Sequence, residues 1–200
     1  PTPNENRYYF WTNAAVLYDD SMELIYPFDW CVNNMADKYG RWPYYYKLDC
    51  RKPKNLPFSF ETFGKLMNDN FFGVYYHEQD YGLVHVADRK RLKGAKFFTW
   101  GTDAYGEAWN RALTDDGSQY IEIQSDPFET QRVYKFMKPY DRLSWVEYWY
   151  PVADMKGFDH AERELAVKVE PLGRRIRLVF AATEALGDCR IVCSAGGRVQ

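Results

Sequence analysis

The chain has 200 residues, 26 basic and 28 acidic, with a formal net charge of -2; 46% are hydrophobic and 27% charged. This balance excludes a disordered chain, and it lacks the clustered basic charge that nucleic-acid binding requires. No run of about 18 apolar residues occurs, so no membrane span is expected either.

In chain order, apolar alternation predicts strands over Tyr8 to Leu17 and Met22 to Tyr26. Residues 27–59 alternate little and carry Pro27, Pro43, Pro53, Pro57 and the cluster Tyr39, Trp42, Tyr44, Tyr45 and Tyr46. They are expected to form a long irregular excursion, a kind of segment that often carries function. Helical patterning is nearly absent: Phe60 to Met67 has room for a turn or two, weakened by Gly64. Further strands are expected at Phe71 to Tyr76, Leu83 to Ala87, Lys96 to Trp100, Tyr120 to Gln124 and Ser144 to Val152. Leu165, Val167 and Val169, then Ile176, Leu178 and Phe180, alternate on either side of Pro171-Leu172-Gly173-Arg174, which reads as a hairpin with one buried face. A turn at Leu186-Gly187-Asp188 leads back into Arg190-Ile191-Val192. The expectation is an all-β, antiparallel β-sandwich: one domain over 1–193, with a tail at 194–200 that frays.

Cys31, Cys50, Cys189 and Cys193 follow neither zinc-ligand spacing nor a disulfide framework, so they are read as free thiols. With a polar N-terminus that lacks a signal core, this suggests a cytoplasmic protein. No metal or organic cofactor is expected, because histidines are not paired at ligand spacing and no phosphate-binding glycine loop occurs.

The strand Tyr120-Ile121-Glu122-Ile123-Gln124 is the most informative segment. Ile121 and Ile123 take one face; Tyr120, Glu122 and Gln124 take the other. A carboxylate between an aromatic and an amide can act as a general base or hold sugar hydroxyls, and the same pattern also describes a solvated strand face. Upstream, Trp100 and Trp109 flank two glycines and precede Arg111. The tryptophans read either as stacking platforms for a sugar or as core residues at strand ends. Trp145, Glu147 and Trp149 share a face that looks semi-buried, so Glu147 is expected to have a hydrogen-bonding partner. His85, among Leu83, Val84 and Val86, reads as a core histidine or as a catalytic acid. The basic run Arg89, Lys90, Arg91, Lys93 and Lys96 reads as a solvated turn, with contact to an anionic ligand as the alternative.

Taken together, Phe10 to Val16, Phe71 to Gly73, His85 to Asp88, Trp100 to Arg111, Leu113 to Asp115 and Tyr120 to Gln124 resemble an uncharacterised bacterial family. That family is often joined to tetratricopeptide repeats and is classed with galactose-mutarotase-like, or aldose-1-epimerase-like, proteins. The resemblance covers about residues 7 to 170 and implies an antiparallel supersandwich with a carbohydrate ligand. The family domain usually extends further on its N-terminal side, so this chain resembles part of it, without repeats. Mutarotases carry a Leu-Glu-x-Gln strand whose Glu deprotonates the anomeric hydroxyl. Ile121-Glu122-Ile123-Gln124 is similar, and Gln131 follows it. They also carry Leu-Thr-Asn-His, whose His supplies the acid; Trp11-Thr12-Asn13-Ala14 is the nearest match here, with Ala14 at the acid position. Either His85 or Asp103 then supplies the acid, or the fold only binds sugar.

The expected function is carbohydrate binding, with sugar processing open. Glu122 is the base or hydroxyl acceptor, Asn13, Gln124 and Arg111 are the hydroxyl ligands, and Trp100 or Trp109 is the stacking platform. The alternative is a catalytically inactive, incomplete sandwich whose exposed apolar surface serves protein association, with a homodimer as the expected assembly.

Overall fold

The structure, a computed structural model, describes residues 7–8, 11–33, 38–131, 136–192, 194–195 and 198–199. In chain order these form β1 (Arg7–Tyr8), β2 (Thr12–Leu17), β3 (Met22–Ile25), β4 (Phe28–Asn33), β5 (Lys38–Arg41), β6 (Tyr44–Tyr45), β7 (Leu48–Asp49) and a 3-10 turn at Pro53–Asn55. There follow β8 (Phe60–Met67), β9 (Phe71–Tyr76), β10 (Tyr81–Ala87), β11 (Gly94–Thr99), α1 (Ala104–Leu113), β12 (Tyr120–Asp126), β13 (Phe136–Met137) and β14 (Glu147–Ala153). Last come β15 (His160–Ala161), β16 (Leu165–Leu172), β17 (Arg175–Ala182), β18 (Ser194–Ala195) and β19 (Arg198–Val199).

Three antiparallel sheets stack as layers: a six-stranded sheet ordered β2-β12-β11-β8-β4-β5, a four-stranded sheet ordered β14-β10-β9-β3, and a three-stranded sheet ordered β15-β16-β17. Strand alternation decides what each face meets. Ile121, Ile123, Phe97 and Phe60 of the large sheet pack against Phe72, Val74 and Leu24 of the middle one. The other face of the middle sheet sends Phe71, Tyr75, Val84 and Val86 against Ala161, Ala166 and Ala181 of the third layer. Fully burying each large apolar side chain stabilises by roughly 1.5–3 kcal/mol. Because the middle sheet is covered on both sides, all six residues of β9 are buried, and its sequence is a continuous apolar run.

The sequence-predicted antiparallel β-sandwich is the fold found. The strand expected over Tyr8 to Leu17 is β1 and β2, residues 9–10 lying outside the described ones. Several local expectations fail. The stretch from Phe60 to Met67 is strand β8, not helix, because its place between β11 and β4 supplies ladder partners on both sides. The 27–59 excursion is only partly irregular: it contributes β4 and β5 to the large sheet, and Trp42, Leu48, Cys50 and Leu56 fill the core beside Phe97 and Phe60. The stretch Arg190 to Val192 forms no strand. In the expected tail, β18 and β19 pair antiparallel, and 196–197 and Gln200 lie outside the described residues, as does Cys193. Cys31 and Cys50 are buried free thiols and Cys189 an exposed one. Burial pushes the Cys31 thiol up, and that of Cys50 up to about 12.

A helix, α1, stands where none was expected. Asp103 caps it, accepting a hydrogen bond from the Gly106 N–H at 2.9 Å. Its entry depends on Gly101, which has φ +81°; a Cβ there would lie 2.3 Å from the Pro57 carbonyl oxygen. That same oxygen accepts from the Thr102 and Asp103 amides at 2.7 and 2.8 Å, fixing α1 against the excursion. The buried positions of α1 are Gly106 and Asn110, while Tyr105, Trp109 and Leu113 are exposed. Its apolar stripe, Tyr105, Trp109 and Leu113, follows the usual helical spacing but faces solvent, so the pattern is inverted rather than absent. No helix among the described residues is long and apolar enough to cross a membrane.

Candidate functional site

The outward face of the six-stranded sheet carries the polar residues. Register aligns Asn13 with Gln124, Gln124 with Lys96, and Lys96 with Phe63. The next row aligns Ala15, Glu122, Phe98 and Glu61. Neighbouring strands lie about 4.8 Å apart, so these side chains form a continuous surface. Exposure falls along it. Asn13 and Ala15 are exposed, Glu122 is half-buried, and Gln124, Lys96 and Glu61 are buried. At the covered end, Trp11 meets Phe63 edge-on at 5.4 Å, and Gly94 leaves room for the Trp11 ring and the Phe128 carbonyl. Under this roof Lys96 Nζ is 3.0 Å from Glu61 Oε2, donates to Gln131 Oε1 at 3.3 Å, and lies over the Phe63 ring at 5.2 Å. This compact ion pair, with an aromatic face beside it, is how the fold tolerates a buried lysine.

At the open end lies a cleft of about 400 Å3. Asn13, Ala15 and Glu122 form its floor; Leu17, Leu113, Thr114, Ser118 and Tyr120 form its walls. The Gln124 side-chain amide donates to the Glu122 carboxylate. Gln124 Oε1 is buried and has no partner among the described residues. Trp100 supports the wall by donating its indole N–H to the Tyr120 hydroxyl at 3.1 Å. Trp109 stacks on Trp100 at 4.9 Å with 17° between planes. A flat ligand with hydroxyls would thus meet acceptors and donors on the floor and apolar surface at the sides.

Between the two larger sheets sits a buried polar cluster on a different layer. His85 is fully buried and stacks on Phe72 at 4.2 Å. Arg89 Nη2 donates to His85 Nδ1 at 2.9 Å, so His85 Nε2 carries the ring proton and donates to Glu147 at 2.9 Å. Glu147 also accepts from Trp145 Nε1 at 2.6 Å and Thr12 Oγ1 at 3.0 Å. Burial pushes the Glu147 carboxyl up, but hydrogen bonds from His85, Trp145 and Thr12 outweigh it and hold it below its ordinary value. Burial lowers His85 to about 4 and Arg89 to about 10, leaving the imidazole neutral and the guanidinium charged at neutral pH. Nearby Asp126 is buried and raised to about 7 by desolvation, with Glu147 adding to the rise against the pull of the Phe128 amide.

The sequence-predicted residues therefore divide. Asn13, Glu122 and Gln124 come together, with Trp100 and Trp109 behind the wall. His85 does not join them: it points into the core from the neighbouring sheet, where it links Arg89 to Glu147. Asp103 is occupied as the α1 cap. Arg111 faces solvent within 3.8 Å of Glu107 and does not line the cleft. The partner expected for Glu147 is present. The basic run is not uniformly a solvated turn, since Lys96 is buried and Arg89 half-buried. Ala15, Leu17, Leu113, Thr114 and Ser118 carry no sequence signal of a site. Lys96 had one, its place on a predicted strand beside Phe97 and Phe98. No group of three His, Cys, Asp or Glu among the described residues could hold a metal.

Residues 1–152 match the model of a family described as "Domain of unknown function (DUF5107)". Among solved structures, the chain is similar to a TPR-domain containing protein from Parabacteroides distasonis ATCC 8503, with TM-score 0.64 and 23% identity over 88% of this chain and 30% of that one. At that identity the likeness speaks for the fold alone, and this chain spans under a third of the other's length. It also matches the Slr1438 protein from Synechocystis sp. PCC 6803, with TM-score 0.47 and 7% identity over 74% of this chain and 44% of that one.

Proposed function

This chain belongs to the DUF5107 family, and we propose that its domain binds carbohydrate in the cleft over Asn13, Ala15 and Glu122. One observation carries the reading: a carboxylate, Glu122, and an amide, Asn13, converge from adjacent strands at an open cleft walled by Tyr120 and two leucines, with the buried Gln124 amide bonded to the carboxylate from behind. Sugars need this combination, hydrogen-bonding groups in one plane and apolar surface for the ring face. Glu122 accepts hydrogen bonds from sugar hydroxyls, held in place by Gln124, and Asn13 can both donate and accept. The mutarotase-like kinship belongs to this reading and rests on the Glu122–Gln124 strand.

The reading favours binding over epimerisation. Anomer interconversion needs an acid opposite the base, and Ala14, at the position the resemblance assigns to that acid, packs against the core. Asp103 and His85 are engaged elsewhere, as described. Titration calorimetry and exchange NMR on a panel of aldoses test both parts. The expected result is saturable binding of at least one sugar, weakened by Glu122→Gln, with anomer exchange at the uncatalysed rate. No binding across the panel would refute the reading, and faster exchange that Glu122→Gln abolishes would refute its non-catalytic part.

A second reading, self-association, has its own observation. The outward face of the third layer presents Val169, Pro171, Ile176 and Phe180, all exposed, in one antiparallel register. Light scattering across a wide concentration range tests it: a dimer that Ile176→Lys dissociates supports it, and a monomer throughout rules it out.

A further inference from the structure

We infer, building on the carbohydrate reading, that the cleft selects by charge: it takes the neutral or amino-bearing end of a short glycan and rejects acidic sugars. Among the described residues nine line the cleft, and Glu122 is the only carboxylate among them; none of the nine is Lys, Arg or His. The described partner of Glu122 is the neutral amide of Gln124. Of the cations named for this face, Lys96 is buried in its pairing with Glu61 and Gln131, and Arg111 lies beside Glu107 and does not line the cleft. A ligand carboxylate, sulfate or phosphate would therefore meet a like charge with no counter-charge to receive it. The apolar walls from Leu17 and Leu113 lower the local dielectric and strengthen that repulsion. A hydroxyl or an ammonium meets an acceptor instead.

The shape sets the size. The volume sits at the small end of ligand sites, which run roughly 300–1,000 Å3, enough for about one or two sugar rings. The floor stops inward, where Gln124 and Lys96 are buried beneath the Trp11 and Phe128 roof. It opens outward at β2, the edge strand of its sheet. A chain can therefore place its terminal unit on Ala15 and run off past β2.

The test uses methyl glycosides in matched sets of hexose, hexuronate and hexosamine, in several stereochemical series, titrated into the full chain at neutral pH and low salt. In the series that binds, the hexuronate should be at least about tenfold weaker than its hexose, and the hexosamine at least equal to it. Glu122→Gln should bring hexose and hexuronate within about threefold of each other, because the amide removes the repelling charge. Asn13→Asp, an exposed and nearly isosteric change, should widen the gap and gives a second readout that does not depend on Glu122 variants folding. A hexuronate that binds wild type as tightly as its hexose, or a gap unmoved by both substitutions, would overturn the charge selection and leave carbohydrate binding standing. Absence of binding in every series would remove both.

Discussion

Replacing Glu147 by alanine should separate a carboxylate that holds the fold from one that serves the site. The Glu147 side chain is only 10% exposed and accepts from Trp145, His85 and Thr12 at 2.6 to 3.0 Å. Hydrogen bonds to a charged group contribute about 1.5–3 kcal/mol each, but donors on one carboxylate are not additive. The larger consequence concerns Arg89, which stays protonated and loses the carboxylate that most favours its charged form in the interior. Removing one member of a buried ionic set costs about 3–5 kcal/mol, a large share of the 5–15 kcal/mol that typically stabilises a domain. For a chain of this size it corresponds to a fall in Tm of roughly 6–20 °C. Glu122→Ala, by contrast, releases one half-buried contact to Gln124 and should cost about 1 kcal/mol or less. Urea unfolding of both variants beside wild type, with m-values compared, measures the difference. Equal losses, or a Glu147→Ala loss under about 1 kcal/mol, would refute the division of roles.

The same cluster predicts a pH signature. His85, lowered to about 4, stays neutral in the fold while the unfolded chain gains a proton below about 6.5, so its contribution is full above that and lost as pH falls toward 4. Asp126, raised to about 7, keeps a proton that the unfolded chain has released, so its contribution is full below about 3.8 and lost as pH rises toward 7. Between about pH 4.5 and 6.3 the two slopes oppose and nearly cancel, and Asp126→Asn should expose the His85 slope of about 1.4 kcal/mol per pH unit. Parallel stability curves for wild type and variant would count against it. Asp103→Ala should cost about 1 kcal/mol through loss of the α1 cap, whereas Asp103→Asn should be nearly neutral. Sugar affinity and tryptophan fluorescence should follow stability in both, and loss of function in the stable Asn variant would point to a chemical role instead.

Much of the fold was legible because strand alternation records which face is wet. Ile121 and Ile123 against Glu122 and Gln124 gave the orientation of β12, and the Pro171 to Arg174 turn gave the β16–β17 hairpin. What stayed hidden has physical causes. α1 buries a glycine and an asparagine and exposes its aromatics, so its periodicity points the wrong way. Strands β4 and β5 lie among prolines and tyrosines whose neighbours, not their pattern, pair them. His85 read first as a core histidine, and catalysis stayed open because one strand cannot say which sheet it will face; its partners Arg89 and Glu147 lie four and 62 residues away. The cleft walls come from β2, the end of α1 and the loop after it, a convergence that only the register of β2 on β12 creates.

Saturation-transfer NMR with methyl hexosides, comparing wild type with Ala15→Phe, tests carbohydrate binding in the cleft most directly. Ala15 is exposed on the cleft floor, and strands accept phenylalanine, so the ring should fill the cleft without disturbing the core. Transfer from protein to sugar in wild type that disappears in a folded Ala15→Phe variant is the predicted result. Transfer that persists unchanged in that variant, or none from wild type to any hexoside, would contradict it.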